Sequence, residues 1–236
     1  KRNTPHKRSD GSNSSGALRD RNGAILPSII FPKRWGTLTP TDTEYIICAA
    51  LKEAIPGSGC DVFYYDREDQ PPQIALSHSV SVKPMKKDGA ERVLLSNGLV
   101  DVEIDMQTGL IIQIHSVQLD KNALASPSNQ ILIFKELKGT DAWNIDRDYA
   151  SNPVEYDLKA NTLRWIEESR LRATLEIRRK ILNSEFVQRI SLAYSSPVVH
   201  LSMDIDFKDP ELLVKLAFNT LVQTNNVTAE IGRAHV

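Results

Sequence analysis

Residues 93–114, VLLSNGLVDVEIDMQTGLIIQI, carry the clearest structural signal in the chain. The part VDVEIDM alternates apolar with acidic residues, and its apolar positions are Val100, Val102, Ile104 and Met106. Because successive side chains of a strand point to opposite faces, this alternation predicts a half-buried strand of an antiparallel sheet. Asn97-Gly98 tolerates positive φ and predicts a tight turn before the strand, and Thr108-Gly109 predicts the turn that closes it.

The same alternation recurs further along the chain. Residues 199–208, VHLSMDIDFK, follow it most cleanly. Residues 172–182, RATLEIRRKIL, and 186–194, FVQRISLAY, follow it less strictly, and Asn183-Ser184 between them predicts a hairpin. These segments therefore predict a sheet built from neighbouring antiparallel strands.

Helical signals are weak. Residues 209–218, DPELLVKLAF, fit a helix capped by Asp209 with Pro210 at its first position, but their apolar residues also alternate as in a strand. Shorter strands are predicted at residues 45–51, YIICAAL, and 61–66, DVFYYD. With turn signals about every 8 to 12 residues, the chain is predicted to be mainly β, an antiparallel β sandwich preceded by a small β segment.

Breaks in the pattern predict the domain organisation. Pro- and Lys-containing sequence between residues 70 and 87 predicts a boundary. Residues 1–17 are expected to be disordered or the start of a fragment, 18–82 to form a small β domain, 83–229 a C-terminal β-sandwich domain, and 230–236 a tail. Residues 231–236, IGRAHV, can be encoded by a nucleotide string that resembles the start of a common sequencing-library adapter. We therefore predict that the tail is adapter-derived and that the domain is interrupted near Ala229; a genuine short tail is the alternative.

The overall composition is that of an ordinary globular protein. The chain has 236 residues, 41% hydrophobic and 25% charged, with 29 Lys and Arg against 30 Asp and Glu. This balance gives no electrostatic reason to expect a nucleic-acid or membrane partner, and no apolar run approaches the roughly 20 residues of a membrane helix. Cys48 and Cys60 are predicted to be free thiols rather than a disulfide.

Short motifs that carry catalytic chemistry are not found in the sequence. Its five histidines lie in no His-Glu-x-x-His or Cys-x-x-Cys arrangement of a zinc site. There is also no phosphate-binding glycine loop and no Gly-x-Ser-x-Gly elbow. The sequence therefore assigns no catalytic residue, metal ligand or cofactor to this chain.

Three polar residues share one face of the strand predicted at residues 199–208. Asp204 and Asp206 are spaced so that they either form a carboxylate pair for glycosidic acid–base chemistry or lie as exposed acids on the solvent side of a sheet. His200 on the same face is expected to be a solvated surface histidine. Residues 178–180, RRK, are interpreted as a solvated edge that discourages strand pairing.

A tryptophan among acids marks the loop at residues 138–153, KGTDAWNIDRDYASNP. The ring of Trp143 could stack on the apolar face of a sugar while Asp141 and Asp146 accept hydrogen bonds from its hydroxyls. Alternatively, Trp143 plugs the edge of the sheet and the two aspartates cap turns. The residues alone leave both interpretations open.

Several motifs in order resemble the C-terminal β domain of glycoside hydrolase family 38 α-mannosidases. The segment at residues 93–114 is similar to a family pattern filled here by Leu95, Asn97, Val102, Ile104, Asp105, Thr108, Gly109 and Ile111. DAWNIDRDY, at residues 141–149, resembles the Asp-Ala-Trp loop of the bacterial, vacuolar and cytosolic branch. The segments at residues 172–218 follow in the family's order, so the resemblance covers roughly residues 18–229.

The resemblance implies a β supersandwich of the galactose-mutarotase-like kind and a role in hydrolysis of terminal α-mannosidic bonds. In the family, a separate α/β barrel holds a zinc ion, a nucleophilic aspartate and an acid/base carboxylate, so this chain is expected to be inactive alone. The loop with Asp141, Trp143 and Asp146 lies toward that barrel in the family, which implies a substrate-binding role. Phe207 departs from the family pattern, which usually has Trp near this point.

Two other functions remain open at this point: a carbohydrate-binding module that uses the same loop, and a purely structural β domain. By the resemblance, α-mannoside glycans would be partners of the full-length enzyme. The family also implies either a cytoplasmic or a vacuolar and lysosomal location, and the oligomeric state cannot be read from the sequence.

Overall fold

The computed structural model describes residues 16–32, 45–51, 55, 59–66, 77–136, 145 and 147–222. The strands are β1 (Ala17–Arg19), β2 (Ser28–Pro32), β3 (Tyr45–Ala49), β4 (Tyr64–Asp66), β5 (Ser81–Lys87), β6 (Ala90–Ser96), β7 (Val100–Asp105), β8 (Ile111–Ser116), β9 (Lys121–Asn122), β10 (Gln130–Lys135), β11 (Thr162–Glu168), β12 (Arg172–Ile181), β13 (Ser184–Ala193), β14 (Val199–Asp206) and β15 (Leu212–Ala217). A 3₁₀ helix at Tyr149–Ser151 precedes β11. Within these residues no helix is long and apolar enough to cross a membrane. The mainly β prediction is confirmed.

The larger sheets are antiparallel meanders. One has five strands in the order β5-β6-β7-β8-β9, and the other has four in the order β11-β12-β13-β14. A two-stranded sheet pairs β10 with β15. Consecutive strands are neighbours because tight turns join them, as at Asp88-Gly89, where both residues have positive φ.

The five- and four-stranded sheets pack face to face. Their shared core contains Val102 and Ile104 from β7 with Leu175 and Ile177 from β12, and all four are fully buried. The alternation that predicts β7 therefore corresponds to a real inner face, and the predicted sandwich is confirmed. Burial of each such side chain stabilises the fold by about 1.5–3 kcal/mol.

A second core cluster lies under the two-stranded sheet. Ile131 and Ile133 of β10 pack with Ile181 and Phe186 of the β12–β13 hairpin. Residues 212–217 form strand β15, so the strand alternative is the correct one for this segment. Asp209 caps no helix, since a strand follows it, and its carboxylate instead accepts hydrogen bonds from the backbone and side-chain N–H groups of Asn183 and from the Ser184 hydroxyl. The bond from Ser184 also lowers the pKa of Asp209.

The turns around β7 connect the two large sheets. The Nδ2 of Asn97 donates to the carbonyl oxygens of Ala193 and Ser196, at 2.8 and 2.7 Å, across the sandwich. Gly109 has a φ of +68°, and a Cβ at this position would lie 2.8 Å from Cγ2 of Ile177. Asn97 and Gly109 thus fix how the two sheets meet, and any residue larger than glycine is excluded at position 109.

Residues 178–180, predicted to be a solvated edge, differ from one another in the structure. They belong to β12, where Arg178 pairs with both β11 and β13, whereas Arg179 and Lys180 pair with β13 alone. Arg179 points inward and is only 4% exposed, whereas Lys180 is exposed. The solvated-edge interpretation was therefore wrong for Arg178, which is paired on both sides, and for Arg179, whose guanidinium is buried, whereas Lys180 is exposed and pairs with β13 alone.

Residues before the sandwich form two short antiparallel pairs, β1 with β4 and β2 with β3. Strand β5 crosses the boundary predicted between residues 82 and 83 and pairs with β6 along its whole length. Cys48 and Cys60 are free thiols, as predicted, and burial raises the pKa of the Cys48 thiol.

Candidate functional site: the polar face of the four-stranded sheet

The loop selected from the sequence lies largely outside the described residues. Asp141, Trp143 and Asp146 are all outside them, so their predicted contact with a sugar stays a prediction. Ile145 is described and is 54% exposed. The loop leaves the end of β10, and the chain returns beside the same strand, where Phe134 and Pro153 form an isolated antiparallel bridge.

The last residues of the loop, from Tyr149 onward, pack on β10 and β15. The ring of Tyr149 meets that of Phe134 edge-on, with centroids 5.0 Å apart. The Nζ of Lys215 lies 3.7 Å from the centroid of the Tyr149 ring, within cation–π distance. The amide of Lys135 donates to the carbonyl of Asn152 at 2.9 Å. These contacts hold the return of the loop against the outer side of the β10–β15 sheet.

The outer surface of the four-stranded sheet, here called the polar face, carries rows of polar residues. The strand register sets them side by side across β11, β12, β13 and β14. The first row is Arg164, Glu176, Arg189 and Ser202, and the second is Glu167, Thr174, Ser191 and His200. Their opposite faces carry the sandwich core, so each strand divides its residues between core and polar face.

Glu176 lies at the centre of the polar face. Its side chain has no exposed surface, and Oε1 accepts hydrogen bonds from Arg164 Nη2 at 2.6 Å and from Arg178 Nε at 2.9 Å. Arg189 Nε donates to Oε2 at 3.2 Å. Burial acts to raise the pKa of Glu176, but the hydrogen bonds from Arg164 and Arg178 outweigh it and lower the pKa. This carboxylate is therefore held ionised with both oxygens occupied.

Glu167 is engaged in a similar way in the next row. Arg172 donates to both of its oxygens in a bidentate pair. The hydroxyl of Thr174 donates to Oε2 at 2.8 Å and lies 2.8 Å from the hydroxyl of Ser191. Both buried acids of the polar face thus belong to closed hydrogen-bond networks.

The acids predicted on β14 lie where expected, at the rim of the polar face. Asp204 binds Nη1 of Arg189 at 2.7 Å, and Asp206 binds Nζ of Lys208 at 2.6 Å. Both side chains are more than half exposed. They lack the apolar surroundings of a glycosidase general acid, so the exposed-acid interpretation fits them better than the catalytic one. His200 is exposed on the same face.

A separate polar pocket of about 270 Å³ lies on the five-stranded sheet. Its lining residues are Leu94, Asp101, Glu103, Gln113 and His115. The buried Glu103 already forms an ion pair with Arg92. Among the described residues, no group of three or more His, Cys, Asp and Glu side chains is arranged to hold a metal ion.

Sequence reasoning missed Glu167, Glu176 and Arg189. A usable signal was present, because Arg172, Glu176 and Arg178 occupy alternate positions in a segment whose other positions are mostly apolar. That pattern identifies the face but not its burial, which depends on arginines from neighbouring strands.

Comparison with known protein families matches residues 95–236 to the family model described as glycosyl hydrolases family 38 C-terminal domain. The match covers more than half of the 236 residues and includes Asn97, Gly109 and the whole four-stranded sheet. No curated protein matches the chain.

Proposed function

The chain belongs to glycosyl hydrolase family 38, and from this membership we propose that it is the C-terminal β domain of a retaining α-mannosidase. The enzyme removes terminal α-mannosyl residues from glycans through a covalent glycosyl-enzyme intermediate. The family match across the β sandwich is the observation that carries this proposal. In it, the present chain supports a catalytic domain supplied by another part of the polypeptide.

The state of the carboxylates supports a non-catalytic role for the polar face. A retaining glycosidase needs a free carboxylate as nucleophile and a second carboxyl group as acid, about 5–5.5 Å away. Glu176 is enclosed by three arginines, and Glu167 is bound by Arg172 and Thr174. Neither has an oxygen left for an anomeric carbon, so these acids order the sheet instead.

Zinc, which the resemblance to α-mannosidases implies, does not fit the described residues. They contain no group of three or more potential ligands in a suitable arrangement. We therefore assign the metal to the catalytic domain.

Activity assays test whether hydrolysis requires a catalytic domain that lies outside this chain. The purified chain, supplied with zinc, is expected not to hydrolyse an aryl α-mannoside, whereas a polypeptide extended by the coding sequence upstream of Lys1 is expected to do so. Hydrolysis by the chain alone would show that its own residues are catalytic. An extended polypeptide that cleaves other glycosides but no α-mannoside would overturn the substrate assignment.

We propose further that Asp141, Trp143 and Asp146 form part of the rim of the mannoside site. The contacts of Tyr149 with Phe134 and Lys215 support this, because they fix one end of the loop. A loop that is already fixed at one end loses less conformational entropy when it contacts a ligand. In the extended enzyme, Trp143→Ala is expected to raise KM about tenfold if one stacking contact is lost. Tyr64→Ala removes an exposed aromatic ring elsewhere and is the matched control. An unchanged KM in Trp143→Ala would exclude the contact.

A second candidate function is carbohydrate binding by the chain alone through the same loop. The anchoring of the loop on β10 and β15 favours it, since these contacts need no other domain. It predicts that the isolated chain binds mannose and that Trp143→Ala abolishes binding while Tyr64→Ala does not. No binding at millimolar mannose would leave the supporting role as the function of the isolated chain.

A further inference from the structure

We propose that two copies of this chain associate through strand β14, which pairs antiparallel with its counterpart about a twofold axis at Met203. In the four-stranded sheet β14 pairs with β13 on one side, and no strand among the described residues pairs with its other side. An open strand edge presents unpaired N–H and C=O groups that can accept a further strand. The occupant proposed here is the same edge of a second copy, which closes the pair as a symmetric dimer.

The inner face of β14 is exposed in the way that a missing neighbour would leave it. Leu201 and Ile205 are 37% and 46% exposed, although they lie on the core side of the sheet, opposite Ile190 and Phe186 of β13. On the adjacent β13, Ile190 and Leu192 face the same side and are fully buried. The apolar row thus continues past the point where the opposing sheet covers it, and a paired strand would extend that cover.

The residues of β14 complement themselves in one register. With the axis at Met203, Leu201 lies opposite Ile205 and His200 opposite Asp206, each pair occurring twice. Residues directly opposite in an antiparallel pair share a face, so the first pair adds to the apolar row and the second joins a base to an acid. Charge and hydrophobicity therefore agree in this alignment.

Neighbouring registers fit less well. An axis at Asp204 would set the two Asp204 carboxylates against each other. An axis at Ser202 would set His200 against Asp204, which Arg189 already binds at 2.7 Å, and would set Val198 against Asp206. Like charges opposite each other destabilise a strand pair, and an apolar residue opposite a carboxylate adds no compensating group across the pair. The axis at Met203 is therefore favoured, because His200 then meets Asp206, whose present partner Lys208 is exposed, rather than Asp204, which the buried Arg189 binds.

The other edge of the same sheet is less suited to pairing. Its register with β12 shifts between Trp165 and Glu167, which marks a bulge in β11. Bulges interrupt the regular ladder and protect edges against further pairing. The register of β14 with β13 is regular from Val199 to Asp206, so this edge offers an uninterrupted template.

Sedimentation velocity of the whole 236-residue chain, from about 1 to 100 µM, tests the proposal. A monomer–dimer equilibrium is expected, and the amides on the open side of β14 should gain protection from hydrogen exchange as the dimer forms. A monomer at all concentrations would overturn the proposal. Protection in the monomer would overturn it too, because the edge would then be covered within one chain. Association that grows beyond the dimer would contradict the closed pairing.

A charge swap tests the register. His200→Asp sets two carboxylates opposite each other at both ends of the pair and is expected to weaken the dimer at least about tenfold. Adding Asp206→His to that variant restores an acid opposite a base and should restore the affinity. Gln118→Asp adds the same single charge in an exposed turn of the other sheet and is the matched control. Equal dimerisation in all four proteins, or failure of the double variant to recover, would rule out this register.

Discussion

Two buried charges lie three residues apart on β12 and are satisfied in opposite ways. Glu176 faces outward, and three arginines surround it. Arg179 faces inward and donates to the carbonyl oxygens of Thr108 and Leu158 and, at 3.3 Å, to Oε1 of Gln188. The outer charge is compensated by opposite charge, whereas all of these partners of the inner one are neutral oxygens.

The difference shows what each face of the sheet needs. On the polar face, arginines from three strands meet on one acid, which fixes the register of β11, β12 and β13. On the inner face, a single guanidinium reaches the turn after β7 and the chain before β11, so it joins the two sheets. Burial lowers the pKa of Arg179, the direction expected for a cation without an anionic partner.

The largest loss of stability is expected from replacing Arg179, the buried arginine that joins the two sheets. Arg179→Met keeps most of the side-chain volume but leaves the carbonyls of Leu158 and Thr108 without a donor. Because each unsatisfied buried acceptor costs about 1–3 kcal/mol, partly offset by no longer burying a cation, we expect a loss of about 3 kcal/mol of unfolding free energy. Urea denaturation measures it, with Lys180→Met at the neighbouring exposed position as the control. A loss of unfolding free energy no larger than that of Lys180→Met would show that Arg179 does not contribute to holding the sheets together.

Neutralising the outer charge should cost less. Glu176→Gln keeps the shape of the side chain but removes the charge that three arginines share. Arg164 and Arg178 are 51% and 37% exposed and can turn to solvent, so we expect a loss of about 2 kcal/mol. Urea denaturation at pH 7 measures this loss. A larger loss than in Arg179→Met would reverse the order of the two sites.

The same carboxylate predicts a pH dependence. The pKa of Glu176 in the folded chain lies below the ordinary value of 4.5, so its contribution is complete above about pH 4.5 and is lost as the pH falls through the folded pKa. The difference in stability between the parent chain and Glu176→Gln should therefore be constant near neutral pH and shrink in acid. A difference that stays the same at all pH values would show that Glu176→Gln acts through packing rather than charge.

The strands were predictable from sequence where one face is wholly apolar. β7 and β14 alternate strictly, so their position and the orientation of Asp204 and Asp206 followed from period alone. Residues 209–218 could not be assigned in this way, because their local pattern allows both helix and strand. The structure decides it through the antiparallel pairing of β15 with β10, and Asp209 bonds instead to Asn183 and Ser184, which lie 26 and 25 residues away in the chain.

The burial of Glu176 and Arg179 could not be predicted either, because it depends on partners that are distant in the sequence. Alternation places Arg179 on the apolar side, but a guanidinium is normally exposed, and the composition of residues 178–180 pointed to a solvated edge. Its partners lie 21 and 71 residues away, and only the sandwich brings them within reach. The sequence also identifies Asn97 and Gly109 as turn residues, but not the inter-sheet contacts that they make.

The smallest loss of unfolding free energy is expected at Arg164, the most exposed arginine that binds Glu176. This variant tests whether the burial of an arginine, rather than its residue type, determines how much stability its removal costs. Arg164→Met is the same substitution as at Arg179, and it removes two hydrogen bonds to Glu176. Because Arg178 and Arg189 still bind the carboxylate and half of the Arg164 side chain is exposed, we expect a loss of only about 0.5–1 kcal/mol. Urea denaturation of both arginine variants under one set of conditions compares them directly. If Arg164→Met costs as much as Arg179→Met, the loss of any arginine from this sheet is equally damaging, and the contrast between its two faces does not hold.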